Sequence, residues 1–361
     1  MKTVKLDKIS SVVSDCKFSR DVRVVSDIPC IEGAAVAVRV LTDKTKYNMI
    51  ELPSGRMAEA KRGDIIAGAL GHRKALFGYS GHLPESLKPG DKISLLNMGG
   101  VLGICDSVNG NFGPPFECEV LGAILDFPFV GQRVGVPAMV GKWKLLPAEQ
   151  LQSDATPVIA IAGTCMNSGK TTVAASIIKY LVERGYNVAA CKATGVSLRR
   201  DVYAMADAGA SMTSIFTDFG VVTTTGKVGA SVAGNLISYL SGKKPDVIVM
   251  ELGDGILGAY GVEEILFDEY VKQNIASLIM AANDPVGAWG AVKLLRERFG
   301  IEPAVVTGPA TDNAVGTTLI RETMGVPAWN VREDGDALAE VVLESVSRFE
   351  ATGKTAGTLH E

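Results

Sequence analysis

One stretch narrows what this chain can become more than any other: Ile159-Ala-Ile-Ala-Gly-Thr-Cys-Met-Asn-Ser-Gly-Lys-Thr-Thr-Val-Ala174. An apolar run, Val158 to Ala162, passes through a glycine-bracketed loop into an amphipathic helical pattern from Gly169. That order describes a buried strand, a phosphate-binding turn and a helix whose N-terminal N–H groups and dipole favour an anion. The spacing departs from the common G-x-x-x-x-G-K-[ST] pattern, which wants glycine at 164 and meets Thr164, with Gly163 one place earlier. Read as a phosphate loop, the segment supplies Gly163, Thr164, Asn167, Ser168, Gly169, Lys170, Thr171 and Thr172 as nucleotide-binding residues. Lys170 would reach the β- and γ-phosphates, and the Thr171 hydroxyl would ligand Mg2+.

The rest of the chain changes period on either side of this motif. From Glu32 to Leu125, short apolar runs such as AAVAVRVL, YNMIEL, GDIIAGAL, KALFGY, KISLLN and GVLGIC alternate with turns such as Pro53-Ser54-Gly55 and Lys88-Pro89-Gly90-Asp91. Closely spaced strands of this kind predict a small all-β barrel or sandwich over 1–145, serving as a docking or oligomerisation module. Its one chemically suggestive part is Gly71-His72-Arg73-Lys74 with Gly78-Tyr79-Ser80-Gly81-His82. These residues read either as an anion-binding rim or as a solvated hairpin. LLPAEQLQSDATP then predicts a linker over 146–156, with a disordered tail over 351–361.

Between them, 157–350 alternates apolar strands with helices. Strands are expected at 158–162, 187–193, 247–251, 277–282, 304–307 and 328–331. Helices are expected at 170–184, 227–241, 262–273, 286–299, 314–324 and 335–349. Such alternation predicts an α/β domain with a mostly parallel sheet flanked by helices and ligands at the carboxyl ends of its strands.

Composition limits the partners. With 361 residues the chain exceeds one ordinary core. A formal net charge of -4 offers no electrostatic footprint for nucleic acid or an anionic membrane surface. The greasiest stretch, Val120 to Val140, is interrupted by Asp126, Gln132 and Arg133, so no span of bilayer length is expected. The start lacks the apolar core of a secretory signal, and the six cysteines form no C-x-x-C pair, which predicts a cytoplasmic protein with reduced thiols. Small molecules are the expected ligands.

The G-x5-G-K-T-T spacing resembles dethiobiotin synthetase and its relatives, including the amidotransferase-type cobyrinic acid synthases, over residues 157–331. That resemblance implies Lys192, at the end of Ala189-Ala-Cys-Lys192-Ala-Thr-Gly195, as a second catalytic lysine beside Lys170. It also implies Glu251, in Val247-Ile-Val-Met-Glu-Leu-Gly-Asp-Gly255, and Asp201, preferred over Asp207, as metal-side acids with Thr171. Asp201 reads equally well as a helix cap, and Asp254 as a metal-side acid or a turn residue. Arg199 and Arg200 read as a clamp for a substrate carboxylate or phosphate, or as ordinary exposed arginines. Ala281 to Gly290 lies where the family contacts substrate across a subunit boundary, which implies a homodimer. Thr307 to Asn313, with Asp312, lies where it reads the base. No N-K-x-D signature is present, and ATP is expected. The family's loop opens Gly-Thr-Asp where this chain has Gly163-Thr164-Cys165, which points to a different substrate.

The expected function is therefore an Mg2+-ATP-dependent synthetase or ligase that phosphorylates a small carboxylate. One alternative is a nucleotide-switched ATPase or GTPase acting in assembly, partition or metal insertion, although such proteins often carry an additional early loop lysine that is missing here. Another is a non-catalytic nucleotide-binding regulator.

Overall fold

The computed structural model describes residues 1–129, 131, 134–152 and 156–352. Gln132, Arg133, part of the expected linker and 353–361 of the expected tail lie outside the described residues. The chain divides into two compact units. Met1–Lys144 groups with Val196–Arg200 and Phe216–Thr223, and the second unit comprises Leu145–Gly195, Asp201–Ile215 and Thr224–Glu361.

In the first unit, β1 (Ala35–Val40), β2 (Ile65–Leu70), β3 (Lys92–Leu95), β4 (Val101–Val108) and β5 (Phe116–Asp126) pair in a closed circuit. β1 pairs with β2 and β5, β4 with β2 and β3, and β3 with β5; only β2 and β4 run parallel in this ring. Strand alternation divides the side chains between two cores. Val36, Val38, Val40, Ile66, Leu70 and Leu102 fill one. Ala35, Ala37, Ala67 and Ala69 face the other, covered by Val4, Leu6, Val12 and Val13. Burial on both faces explains why these strands read as near-continuous apolar runs.

Polar contacts bring the two later segments into this unit. Glu51, fully buried, accepts the backbone N–H groups of Arg199 at 2.8 Å and Arg200 at 2.6 Å, and the Ser11 hydroxyl. Glu32 accepts those of Val222 at 2.8 Å and Thr223 at 2.7 Å, and Asn97 donates to the Ser197 carbonyl at 2.8 Å.

The second unit is built on a six-stranded, wholly parallel sheet. β6 (Val158–Gly163), β7 (Val188–Lys192), β8 (Met212–Ile215), β9 (Val247–Glu251), β10 (Ile275–Ala281) and β11 (Val305–Thr307) lie in the order β8-β7-β9-β6-β10-β11. The helices are α1 (Lys170–Glu183), α2 (Arg200–Asp207), α3 (Gly229–Ser241), α4 (Val262–Phe267), α5 (Glu269–Asn274), α6 (Pro285–Leu294), α7 (Ala314–Met324) and α8 (Gly335–Thr352). The connection from β6 to β7 runs one way across the sheet, and that from β9 to β10 runs the other. Right-handed crossovers then place α1 and α4–α5 on opposite faces. Contacts agree: α1 packs with α8, and α3 with α4 and α5. The neighbours β6 and β9 therefore flank the switch point, where a crevice opens outside the carboxyl ends.

Several expected elements differ in detail. KALFGY is a turn between the short strands Arg73–Lys74 and Tyr79–His82, because Gly78 takes φ +140 there. The helix expected over 262–273 breaks at Asp268, whose carboxylate caps α5 by accepting from Val271 N–H. The strand expected at 328–331 is reduced to a bridge between Ala328 and Val306. α8 extends to Thr352, into the expected tail, and β8 and α2 were not anticipated. Among the described residues no helix is long and apolar enough to cross a membrane.

The closed circuit depends on its large interior side chains. Leu102→Ala is expected to destabilise the first unit by about 2–5 kcal/mol, measured as a lower urea midpoint for its unfolding. An unchanged midpoint would show that Leu102 does not carry this packing.

Candidate nucleotide and metal site

The loop after β6 is held by backbone and glycine geometry. Thr164 N–H donates to Ala281 O at 3.0 Å, so the loop starts against the tip of β10. Asn167 and Gly169 both take positive φ, +65 and +93, and Gly169 leads directly into α1. A Cβ on Gly163 would lie 2.4 Å from Ser168 Oγ and 2.9 Å from Lys170 Nζ. Glycine is therefore required at the last residue of the strand, one place before the usual position.

Inside this cradle Lys170 Nζ donates to the Cys165 carbonyl at 2.8 Å and to Ser168 Oγ at 3.4 Å. Its burial lowers the ammonium pKa, an effect opposed by Glu251 and reinforced by Lys192. A buried cation at the N-terminus of α1 is suited to an incoming phosphate. Thr171 is half-buried, while Thr172 is exposed on the first turn of α1.

The tips of β7 and β9 complete the charge distribution. Thr171 Oγ1 donates to Glu251 Oε1 at 3.3 Å. Lys192 Nζ is ion-paired with Asp201 and lies 4.0 Å from Glu251. Glu251 is almost fully buried, and its Oε2 has no hydrogen-bond partner among the described residues. Burial and the neighbouring Asp201 charge push its carboxyl pKa up, while Lys192, Lys170 and Thr171 pull it down. The glycine-rich turn after β9 fits tightly: a Cβ on Gly253 would be 2.2 Å from Thr194 O, and one on Gly255 2.5 Å from Thr164 O.

A buried carboxylate with an unmet oxygen beside a loop threonine hydroxyl fits Mg2+, which takes one or two carboxylates and completes its shell with water and phosphate oxygens. Thr171 and Glu251 are the residues that would hold it. Among the described residues no group of three or more His, Cys, Asp and Glu side chains could form an all-protein metal cage.

The other sequence candidates separate. Asp201 joins Lys192, whereas Asp207 is exposed at the far end of α2. Arg199 is not a free clamp: it is buried and paired with Asp15 at 2.8 Å and Asp218 at 2.7 Å, in the first unit. Arg200 is exposed at the start of α2. Cys165 is half-buried; its thiol donates to Met166 O at 3.0 Å, and Asn283 Nδ2 lies 2.8 Å from its sulfur. Asp284 caps α6 through Gly287 N–H at 2.8 Å. Asp312 accepts from Asn330 Nδ2 at 3.0 Å. Gly308, within the segment expected to read the base, packs against the loop instead: a Cβ there would meet Ser168 O at 2.6 Å.

No protein-family profile matches the chain, and no curated protein matches it. Among solved structures, it is similar to a DUF1611 family protein from Anabaena variabilis, with TM-score 0.38 and 16% identity over 59% of this chain and 62% of that one. Signal recognition particle receptor FtsY from Elizabethkingia anophelis gives 0.38 and 15% over 56% and 68%. Signal Recognition Particle 54 kDa protein from Aeropyrum pernix, in complex with GDP, gives 0.36 and 17% over 57% and 53%. The chain thus spans about 62% of the length of the DUF1611 protein. Its own strand, loop and helix at the switch point of a parallel sheet define a P-loop NTPase-like α/β fold.

Glu251 should make stability depend on pH. Its raised carboxyl pKa means that the folded chain keeps a proton that the unfolded chain has released, so stability falls as pH rises through that window. As pH rises above the ordinary carboxylate range, Glu251→Gln is expected to flatten the decline in Tm measured without nucleotide. Parallel declines for variant and parent would refute the assignment.

Proposed function

We propose that this protein is a Mg2+-dependent nucleoside triphosphatase that binds the triphosphate in the 163–172 loop and cleaves its terminal phosphoryl group. The observation that carries the reading is the meeting of Thr171 with the buried, half-unpartnered Glu251 beside Lys170. Lys170 would bear on the β- and γ-phosphates, and the loop amides would surround them. Bound Mg2+ would offset phosphate charge. Asp201 holds Lys192 in place, so the lysine is a fixed part of the electrostatic wall.

That pairing supports the nucleotide-switched reading over the ligase implied by the resemblance to dethiobiotin synthetase. A ligase would use Lys192 to steady a phosphoryl group passing to a carboxylate, but this ammonium already has a buried acid partner. With Arg199 also paired, the geometry favours hydrolysis coupled to a nucleotide-dependent change, including association of two copies, over transfer to a small acid.

Hydrolysis of Mg2+-ATP and Mg2+-GTP by the full chain, with light scattering in a nonhydrolysable analogue of each, tests this reading. Lys170→Ala should lower turnover by about 10²–10³. An unchanged rate in that variant would sink the proposal, and product formation that requires an added carboxylate would restore the ligase.

A further inference from the structure

The loops of the first unit contain a second concentration of buried charge, separate from the residues assigned to nucleotide. Arg73 is only 2% exposed. Its Nη1 donates to Tyr47 Oη at 2.9 Å and to the Leu96 carbonyl, and its guanidinium stands 5.5 Å from the Tyr47 ring centre and 5.7 Å from that of Tyr79. Arg73 Nε is buried without a hydrogen-bond partner.

Lys44 approaches the same ring system. Its Nζ donates to Phe112 O at 3.0 Å and to Pro114 O, and lies 5.8 Å from the ring centres of both Tyr79 and Phe116. Burial lowers its pKa. Among the described residues neither cation is ion-paired with a carboxylate; the nearby Asp106 is engaged with His82 Nδ1 at 2.7 Å.

Around these cations the aromatic rings pack against one another, with Phe77 at the surface. Tyr47 meets Tyr79 edge-on at 5.5 Å and Phe112 at 5.0 Å, and Phe112 meets Phe77 at 5.0 Å. Phe77 is exposed, while Tyr47 and Phe112 are half-buried. Tyr79 Oη is buried with no partner, and burial pushes its pKa up to about 12. Cation–π contacts recover less than the burial of an ion costs. Two cations and an unmet phenol without a counter-charge therefore form an anion site rather than a finished core.

We propose that this loop cluster binds a small organic anion, a carboxylate or phosphate borne on a planar ring, with the charge taken by Arg73 and Lys44 and the ring by Tyr47, Phe77 and Phe112. Aromatic stacking and charge-assisted hydrogen bonds would act together. The site stands independently of the nucleotide loop.

Calorimetric titration and ligand-observed NMR on the full chain, using benzoate, acetate, phenyl phosphate and inorganic phosphate, test it. The phosphate probes are repeated on Lys170→Ala to remove uptake by the nucleotide loop. Benzoate or phenyl phosphate should bind saturably and more tightly than its ring-free counterpart, and which of the two binds identifies the acid group. Lys44→Met and Arg73→Gln should each weaken binding about tenfold, and Phe77→Ala should weaken only ring-bearing probes. Because Arg73→Gln removes a buried side chain, Lys44→Met and Phe77→Ala decide the outcome if it fails to fold. Failure of all four probes to bind, or equal affinity in Lys44→Met and Phe77→Ala, would overturn the proposal and leave the cluster a structural strut.

Discussion

The second unit depends on one costly arrangement, a carboxylate sealed at the tip of a buried strand. Glu251 follows four buried residues of β9 and has one oxygen without a partner. An isolated charge there would be strongly unfavourable, and the surrounding chain reduces that cost. Thr171 donates to it, Lys192 lies at 4.0 Å, and Lys170 acts on it from the loop. Lys170 and Glu251 oppose the pKa displacement that burial imposes on each other, and a phosphate and a divalent cation would complete the same balance of charge.

This arrangement accounts for the unusual loop spacing. Gly163 ends β6, where any Cβ would strike Ser168 Oγ and crowd Lys170 Nζ. The glycine is needed because the lysine folds back over the strand tip, and the extra residue lengthens the path between them. Asn167 and Gly169 absorb this length with positive φ. Cys165 falls within the detour, where its carbonyl holds Lys170 and its sulfur meets Asn283. Its difference from the acid of the resembling loop is thus tied to fastening the loop as much as to choosing a substrate.

The parallel strands were legible where burial on both faces left an unbroken apolar run, as in β6 and β9. β8 was not, since Met212 and Thr213 are half-exposed and its four residues carry no strong period. The grouping of 196–200 and 216–223 with the first unit was also hidden. Much of it comes from single polar side chains, Glu51, Glu32 and Asn97, that meet backbone groups far away in sequence. Such contacts depend on residue identity at one position and leave no periodic trace.

Charged residues divide along the same line. Lys192 and Glu251 terminate buried strands, so their position at the carboxyl edge follows from the pattern that defines the strands. Arg73 begins a two-residue strand and Arg199 lies in the loop just before α2, where no periodic pattern gives a side chain's direction, and both are buried. Their surroundings differ in a way that sequence could not show. Arg199 has two acids, which neutralise it and make it structural. Arg73 has carbonyl, phenol and ring faces, which orient a guanidinium without cancelling its charge. A buried cation that is oriented but not neutralised retains attraction for an anion, and that distinction separates a binding residue from a strut.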